Sequence, residues 1–183
     1  MDAFEQVVSE ILWRDGFWVR TSVKVELTAE DKIAIGRRSS PRWELDVVAY
    51  RALDNLLRVI ECKSYLDNPG VGGNWLDGTN VKAAGRYKLF SEPNLRATVL
   101  ARLRAQFVDS GLCRPNPKIE LCLACGKIQE NARKPLASHF ETNNWTLLDE
   151  EWLRTRLQKM ADGGYENQVS AVVAKLILRG NAG

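Results

Sequence analysis

Leu56-Leu57-Arg58-Val59-Ile60-Glu61-Cys62-Lys63-Ser64-Tyr65 opens as a buried strand and closes on charge. Leu56 to Ile60 supplies the aliphatic and β-branched residues of a core strand. Residues i and i+2 of a strand share a face, so Glu61 and Lys63 project together while Ile60 and Cys62 turn the other way. A core strand rarely ends in a carboxylate and an ammonium, because burying either charge is costly unless it is paired or put to use. A third charge, Asp46, lies fifteen positions upstream in Trp43-Glu44-Leu45-Asp46-Val47-Val48-Ala49.

Trp43 to Tyr50 is predicted as the preceding strand, joined to Leu56–Tyr65 through a turn near Asp54-Asn55. Hairpin pairing centred near residues 53 and 54 sets Asp46 opposite roughly residue 61. Two carboxylates so close repel each other unless a cation or a proton lies between them. With the backbone carbonyl of Cys62 as a candidate third ligand, they offer an oxygen donor set for Mg²⁺. A lysine beside them can orient or polarise an attacking water, the combination that metal-assisted phosphodiester cleavage requires.

The rest of the chain surrounds this pair with alternating elements. Phe4, Val7, Val8, Ile11 and Leu12 predict a helix over residues 3–15, with Gly16 ending it. Residues 17–27 read as a strand and 28–42 as a polar, basic connection. The Gly- and Asn-rich stretch 66–80 is a long loop. Helices are expected over 81–90, 94–110, 129–142, 150–160 and 165–179, and strands over 118–124 and 145–148, with Asp149 as a helix cap. A strand meander followed by α-β alternation predicts an α/β fold, a mixed central sheet with helices on both faces. One domain is expected over 1–162, with an inserted loop and helix region at about 66–111. A C-terminal helix and tail (163–183) would pack on that domain or on a partner.

With 45% hydrophobic and 27% charged residues, the 183-residue chain has the make-up of an ordinary globular domain with a core of its own. It has no run of 18 apolar residues and no basic, apolar leader, so it is expected to be cytoplasmic with no membrane partner. A net charge of +3 is too small to argue nucleic-acid binding by itself. Its distribution says more: Arg37, Arg38 and Arg42 precede Asp46, and Lys82, Arg86 and Lys88 follow the Glu61–Lys63 strand, so both clusters flank the acidic centre. Cys122 and Cys125 form a C-x-x-C, with Cys113 upstream and His139 downstream. Leu121-Cys122-Leu123-Ala124-Cys125 reads more simply as a core strand, and no zinc is expected. Trp13, Trp18, Trp43, Trp145 and Trp152 fall in apolar patterns and read as core or half-buried. Trp75, in the Gly-rich loop, is either a loop anchor or a ring that stacks on a base.

Asp46 followed by Glu61-Cys62-Lys63 resembles the motif of the PD-(D/E)xK nuclease superfamily. Phe4-Glu5 and Gly16-Phe17, with the apolar stripe between them, are similar to the opening helix of Mrr-type endonucleases and archaeal Holliday-junction resolvases. Trp145-Thr-Leu-Leu-Asp-Glu-Glu-Trp-Leu153 is similar to the late strand and helix of Mrr-type domains. The chain departs from the pattern at Leu45, where proline is frequent, and in the region 66–111. The resemblance implies a restriction-endonuclease-like fold and a metal-dependent endonuclease of the restriction, repair or defence type acting on DNA. Asp46 and Glu61 would hold Mg²⁺ or Mn²⁺, and Lys63 would position water and offset phosphorane charge. Glu5 (rather than its competitor Glu10) would orient water or a second ion, and Ser64 could touch the scissile phosphate. The alternative is a non-catalytic or partner-dependent nucleic-acid-binding module on the same fold. A second copy of the chain and a targeting protein are candidate partners, and Val169, Val172, Val173, Leu176 and Ile177 mark the helix through which either could act.

Overall fold

The computed structural model describes residues 2–37, 42–76, 79–164 and 166–179. Five strands form one sheet in chain order: β1 (Trp18–Glu26), β2 (Arg42–Arg51), β3 (Leu56–Lys63), β4 (Lys118–Cys125) and β5 (Thr146–Leu148). The β1–β2 and β2–β3 pairs are antiparallel, whereas β3–β4 and β4–β5 are parallel. A parallel step requires a long crossover, and the two here carry helices.

Strand alternation gives the sheet two apolar faces. On one side, Leu57, Val59, Leu121 and Leu123 pack with Leu89, Phe90, Leu95, Val99, Leu103, Phe107, Leu136 and Phe140. Those residues come from α4 (Lys88–Ser91), α5 (Pro93–Asp109) and α6 (Arg133–Thr142). On the other side, Ile60, Cys62, Cys122 and Ala124 pack with Val8, Ile11, Leu12, Leu153, Met160 and Ala171. These lie on α1 (Ala3–Arg14), α7 (Glu150–Asp162) and α8 (Val169–Leu178). The fold is thus α/β, a mixed five-stranded sheet between two helical layers.

Local chemistry fixes the helix that approaches the charged strand end. At the start of α1, Asp2 Oδ1 accepts the Glu5 N–H (2.8 Å) and the Glu5 carboxylate accepts the Asp2 N–H (3.2 Å), a reciprocal capping box. At its end, Gly16 takes φ +86°, and the Gly16 and Phe17 N–H groups bond the Trp13 and Leu12 carbonyls. This Schellman closure turns the chain sharply into β1.

Several expectations are corrected. The connection at 28–42 contains a short helix, α2 (Ala29–Ala34), capped by Thr28. Its capping box, Thr28 with Asp31, was legible, but six residues carry too little apolar periodicity to register. The helix expected over 81–90 is two short ones, α3 (Val81–Ala84) and α4, broken at Gly85–Tyr87. Trp13 and Trp18 are 61% and 79% exposed, not core, because each falls on the outward face of its element. The C-x-x-C thiols are buried on opposite sides of the sheet, Cys122 toward α1 and Cys125 toward α5, as an i, i+3 spacing in a strand dictates. No helix among the described residues is long and apolar enough to cross a membrane.

Candidate active site

Asp46 sits where β2 loses its regular alternation. Val47 and Ala49 pack toward α1, whereas Leu45 packs toward α5. Strict alternation would have put Leu45 with Val47. The partner strand turns over at the same place: Val19 packs toward α1, and Val23 and Val25 toward α5. The register pairs Thr21 with Val47 and Val23 with Leu45, which leaves Ser22, at φ +50°, opposite Asp46. A half-turn in both strands therefore aims Asp46 along the sheet rather than into either layer.

The consequence is a side chain standing in for a backbone carbonyl. The β2–β3 ladder ends at Val47–Ile60, and beyond it the Cys62 N–H donates to Asp46 Oδ2 at 2.8 Å. Continuing the ladder by one step sets Asp46 opposite Glu61, as the hairpin arithmetic predicts. The N–H and C=O of a strand residue point to the same edge, so the Cys62 carbonyl also faces the Asp46 side. Glu61 and Lys63 share the other register: Lys63 Nζ donates to Glu61 Oε1 at 2.6 Å and lies 3.9 Å from Asp46 Oδ2. All three side chains keep about a fifth to a quarter of their surface open.

The electrostatics of the cluster are uneven. Burial holds the Glu61 carboxyl above the ordinary carboxylate range. Lys63 pulls it down, and Asp46 and Glu5 push it further up. Burial alone would lower the Lys63 ammonium, but the Glu61 and Asp46 carboxylates outweigh it and raise it. Glu5 on α1 is also raised, by burial first, then by the charges of Asp46 and Asp2. Three carboxylates thus feel one another near the Lys63 ammonium. Glu10, the competing helical acid, is committed elsewhere: its carboxylate accepts the Gln6 amide and the Ser170 N–H at the start of α8.

The donors are hard oxygens: two carboxylates on adjoining strands and one main-chain carbonyl. Among the described residues, no group of three or more His, Cys, Asp or Glu side chains is arranged to hold a metal. A small donor set of this kind suits Mg²⁺, which keeps several waters and accepts one or two carboxylates along with substrate oxygens.

Around the cluster the sequence-predicted contacts separate. Arg37 is already engaged: its guanidinium bonds both oxygens of Glu92 (2.8 and 2.9 Å) and lies over the Trp43 ring. Arg42 pairs with Glu26 across the β1–β2 ladder at 3.1 Å. Arg38 lies outside the described residues. Lys82, Arg86 and Ser64 are exposed and Lys88 is half-buried. Trp75 packs edge-on against Tyr65 and beside Tyr87, with the Tyr87 hydroxyl donating to the Tyr65 hydroxyl at 3.1 Å. It anchors the loop to the layer behind Lys63.

Two features escaped the sequence reading. Gly126 follows β4 and donates its N–H to the Lys63 carbonyl (3.1 Å), and a Cβ there would fall 2.3 Å from the Ser64 carbonyl oxygen. A glycine directly after a buried strand was the available signal. Beside it, a polar cavity of about 480 Å³ is lined in part by Leu66, Lys127, Gln129, Arg133 and Arg154. Lys127 and Arg154 are exposed there. They lie far apart in sequence, so no local cluster announced them. Comparison with protein-family models, curated proteins and solved structures returns no match.

Proposed function

We propose that this chain is a divalent-metal-dependent DNA endonuclease of the PD-(D/E)xK type, with a restriction-endonuclease-like fold. The observation that carries the reading is the convergence of Asp46, Glu61 and Lys63 at the end of β3, with Asp46 held by the Cys62 N–H. Asp46, Glu61 and the Cys62 carbonyl would hold the cation, which supplies Lewis-acid polarisation of the scissile phosphate. Lys63 is kept protonated by its two acidic neighbours, so it acts as a donor that orients the attacking water and offsets charge on the phosphate, not as a base. Glu5 adds negative charge from α1 and can accept a proton or orient a second water. Lys82, Arg86, Lys127 and Arg154 are the exposed cations that would follow the phosphate backbone, with Lys88 beside them and Ser64 nearest the scissile group. Arg37 and Arg42 would have to leave acidic partners to join them.

A panel of supercoiled plasmid, linear duplex, single strand and four-way junction, incubated with Mg²⁺ or Mn²⁺, tests this. Cleavage by wild type and none by Asp46→Ala is the expected result. No cleavage by either, with salt-dependent DNA binding retained, would favour the alternative, a partner-dependent or non-catalytic binding module.

A further inference from the structure

The helix α8 is apolar but for Ser170 and Lys175: Val-Ser-Ala-Val-Val-Ala-Lys-Leu-Ile-Leu. A helix of that make-up is normally buried all round. Here the inward face is the small one, Ser170, Ala171 and Ala174. The large residues face out: Val169, Val172, Val173, Leu176 and Ile177 are 60%, 43%, 46%, 76% and 61% exposed. Their spacing (i, i+3, i+4, i+7, i+8) makes one continuous stripe. The assignment is not a loose docking of the helix, because its seat is specific. Glu10 caps the Ser170 N–H at 2.8 Å, and Arg14 pairs with Glu166 at 2.6 Å just before the helix begins. The small residues let α8 lie close against its neighbours, and the bulky ones are left without a cover among the described residues.

We propose that this stripe is the two-fold interface of a homodimer, with α8 of one copy packed antiparallel on α8 of the other. Three observations favour a second copy. The stripe carries no charge: the one charged residue of α8, Lys175, is turned back to the Gly164 carbonyl. Two identical faces can therefore meet without burying like charges, as an isologous contact demands. The five side chains expose on the order of 450 Å² of contiguous apolar surface, the size of patch that on a monomer is often functional. The stripe also runs into an apolar groove of about 290 Å³ between α8, Val7 of α1 and Leu157 of α7. Two stripes of this size facing each other would bury about 900 Å² in total, close to the roughly 1,000 Å² of a specific interface.

Sedimentation equilibrium of the full chain across the micromolar range reads this without reference to cleavage, so its outcome is independent of the nuclease reading. Wild type is expected to be dimeric. Val173→Glu, near the middle of the helix and so near the two-fold axis, and Leu176→Glu at the most exposed position should each weaken association by roughly two orders of magnitude. Their circular dichroism and melting should stay those of a folded chain. Mixing Val173→Glu with Val173→Lys should restore a dimer, which only self-pairing through this face explains. A monomeric wild type, or a Val173→Glu, Leu176→Glu double variant that still dimerises, would overturn the proposal.

Discussion

Strand β3 carries two ion pairs of nearly equal burial and equal length, and they differ in one respect. Arg58 meets Glu120, its register partner on β4, at 2.6 Å, with 18% and 17% of the side chains exposed. Lys63 meets Glu61 at 2.6 Å, with 21% and 18% exposed. The first pair is balanced, and Arg58 is further held over the Phe17 ring at 5.0 Å. The second is outnumbered, because Asp46 sets a second carboxylate beside the same ammonium. Burial and pairing alone therefore do not mark a site. An excess of carboxylate over ammonium, held at a strand end that stays open to solvent, makes the Lys63 cluster the candidate site.

The largest effects should separate the two pairs. Asp46→Ala, Glu61→Ala and Lys63→Ala are each expected to lower cleavage by at least ~10²–10³-fold with the fold retained. Glu120→Ala should leave the cleavage rate of the folded protein near wild type and instead cost ~2–3 kcal/mol in denaturant unfolding. That is below the loss for a fully buried pair, because both groups keep some solvent. If Glu120→Ala abolished cleavage in a fully folded protein, the two pairs would not be distinct in kind. Gly126→Ala lies between these cases. Its Cβ would press the Ser64 carbonyl, so a stability loss of about 1–3 kcal/mol should accompany a larger, separately measurable fall in cleavage.

A smaller effect reports on the burial and charge around Glu5. Glu5 has a folded-state pKa above its unfolded value, so its neutral form is the one the folded protein prefers. Its contribution to stability is full below the unfolded value of 4.5 and is lost as pH rises through the raised folded value. Glu5→Gln removes that titration and keeps an acceptor for the Asp2 N–H. Thermal melts should therefore show the variant equal to wild type in acid and slightly more stable at neutral pH. A gap that is constant with pH would deny that burial and the neighbouring Asp46 charge raise the Glu5 carboxyl. The smallest expected change is in DNA binding. Lys82→Ala and Arg86→Ala should each reduce the salt dependence by about one counterion, whereas Arg37→Ala, already paired with Glu92, should leave the slope alone.

The hairpin and the charged strand end were legible because period-2 alternation and turn residues are local signals. Asp46 opposite Glu61, the shared face of Glu61 and Lys63, and the succession of five strands along the chain all follow from them. What was illegible depended on distance. The face reversal at Ser22 and Asp46 involves two strands at once and leaves no mark in either pattern alone. The engagement of Arg37 by Glu92, 55 positions away, cannot be read from a cluster of basic residues. The helix α8 is instructive because its apolar stripe is legible in the sequence while the face it turns inward is not. An apolar stripe says that a face will be covered, and only packing tells by what. Here the small residues took the inward position and left the stripe outside.

On the proposed function, the acids around Lys63 hold a hard cation. Calorimetric titration of Mn²⁺ into wild type and Asp46→Asn tests it without DNA. The asparagine oxygen can still accept the Cys62 N–H, so the strand end keeps its shape while one negative donor is lost. Saturable binding to wild type and at least roughly tenfold weaker binding to Asp46→Asn is the predicted result. Equal binding to both proteins, or none to wild type, would contradict the account.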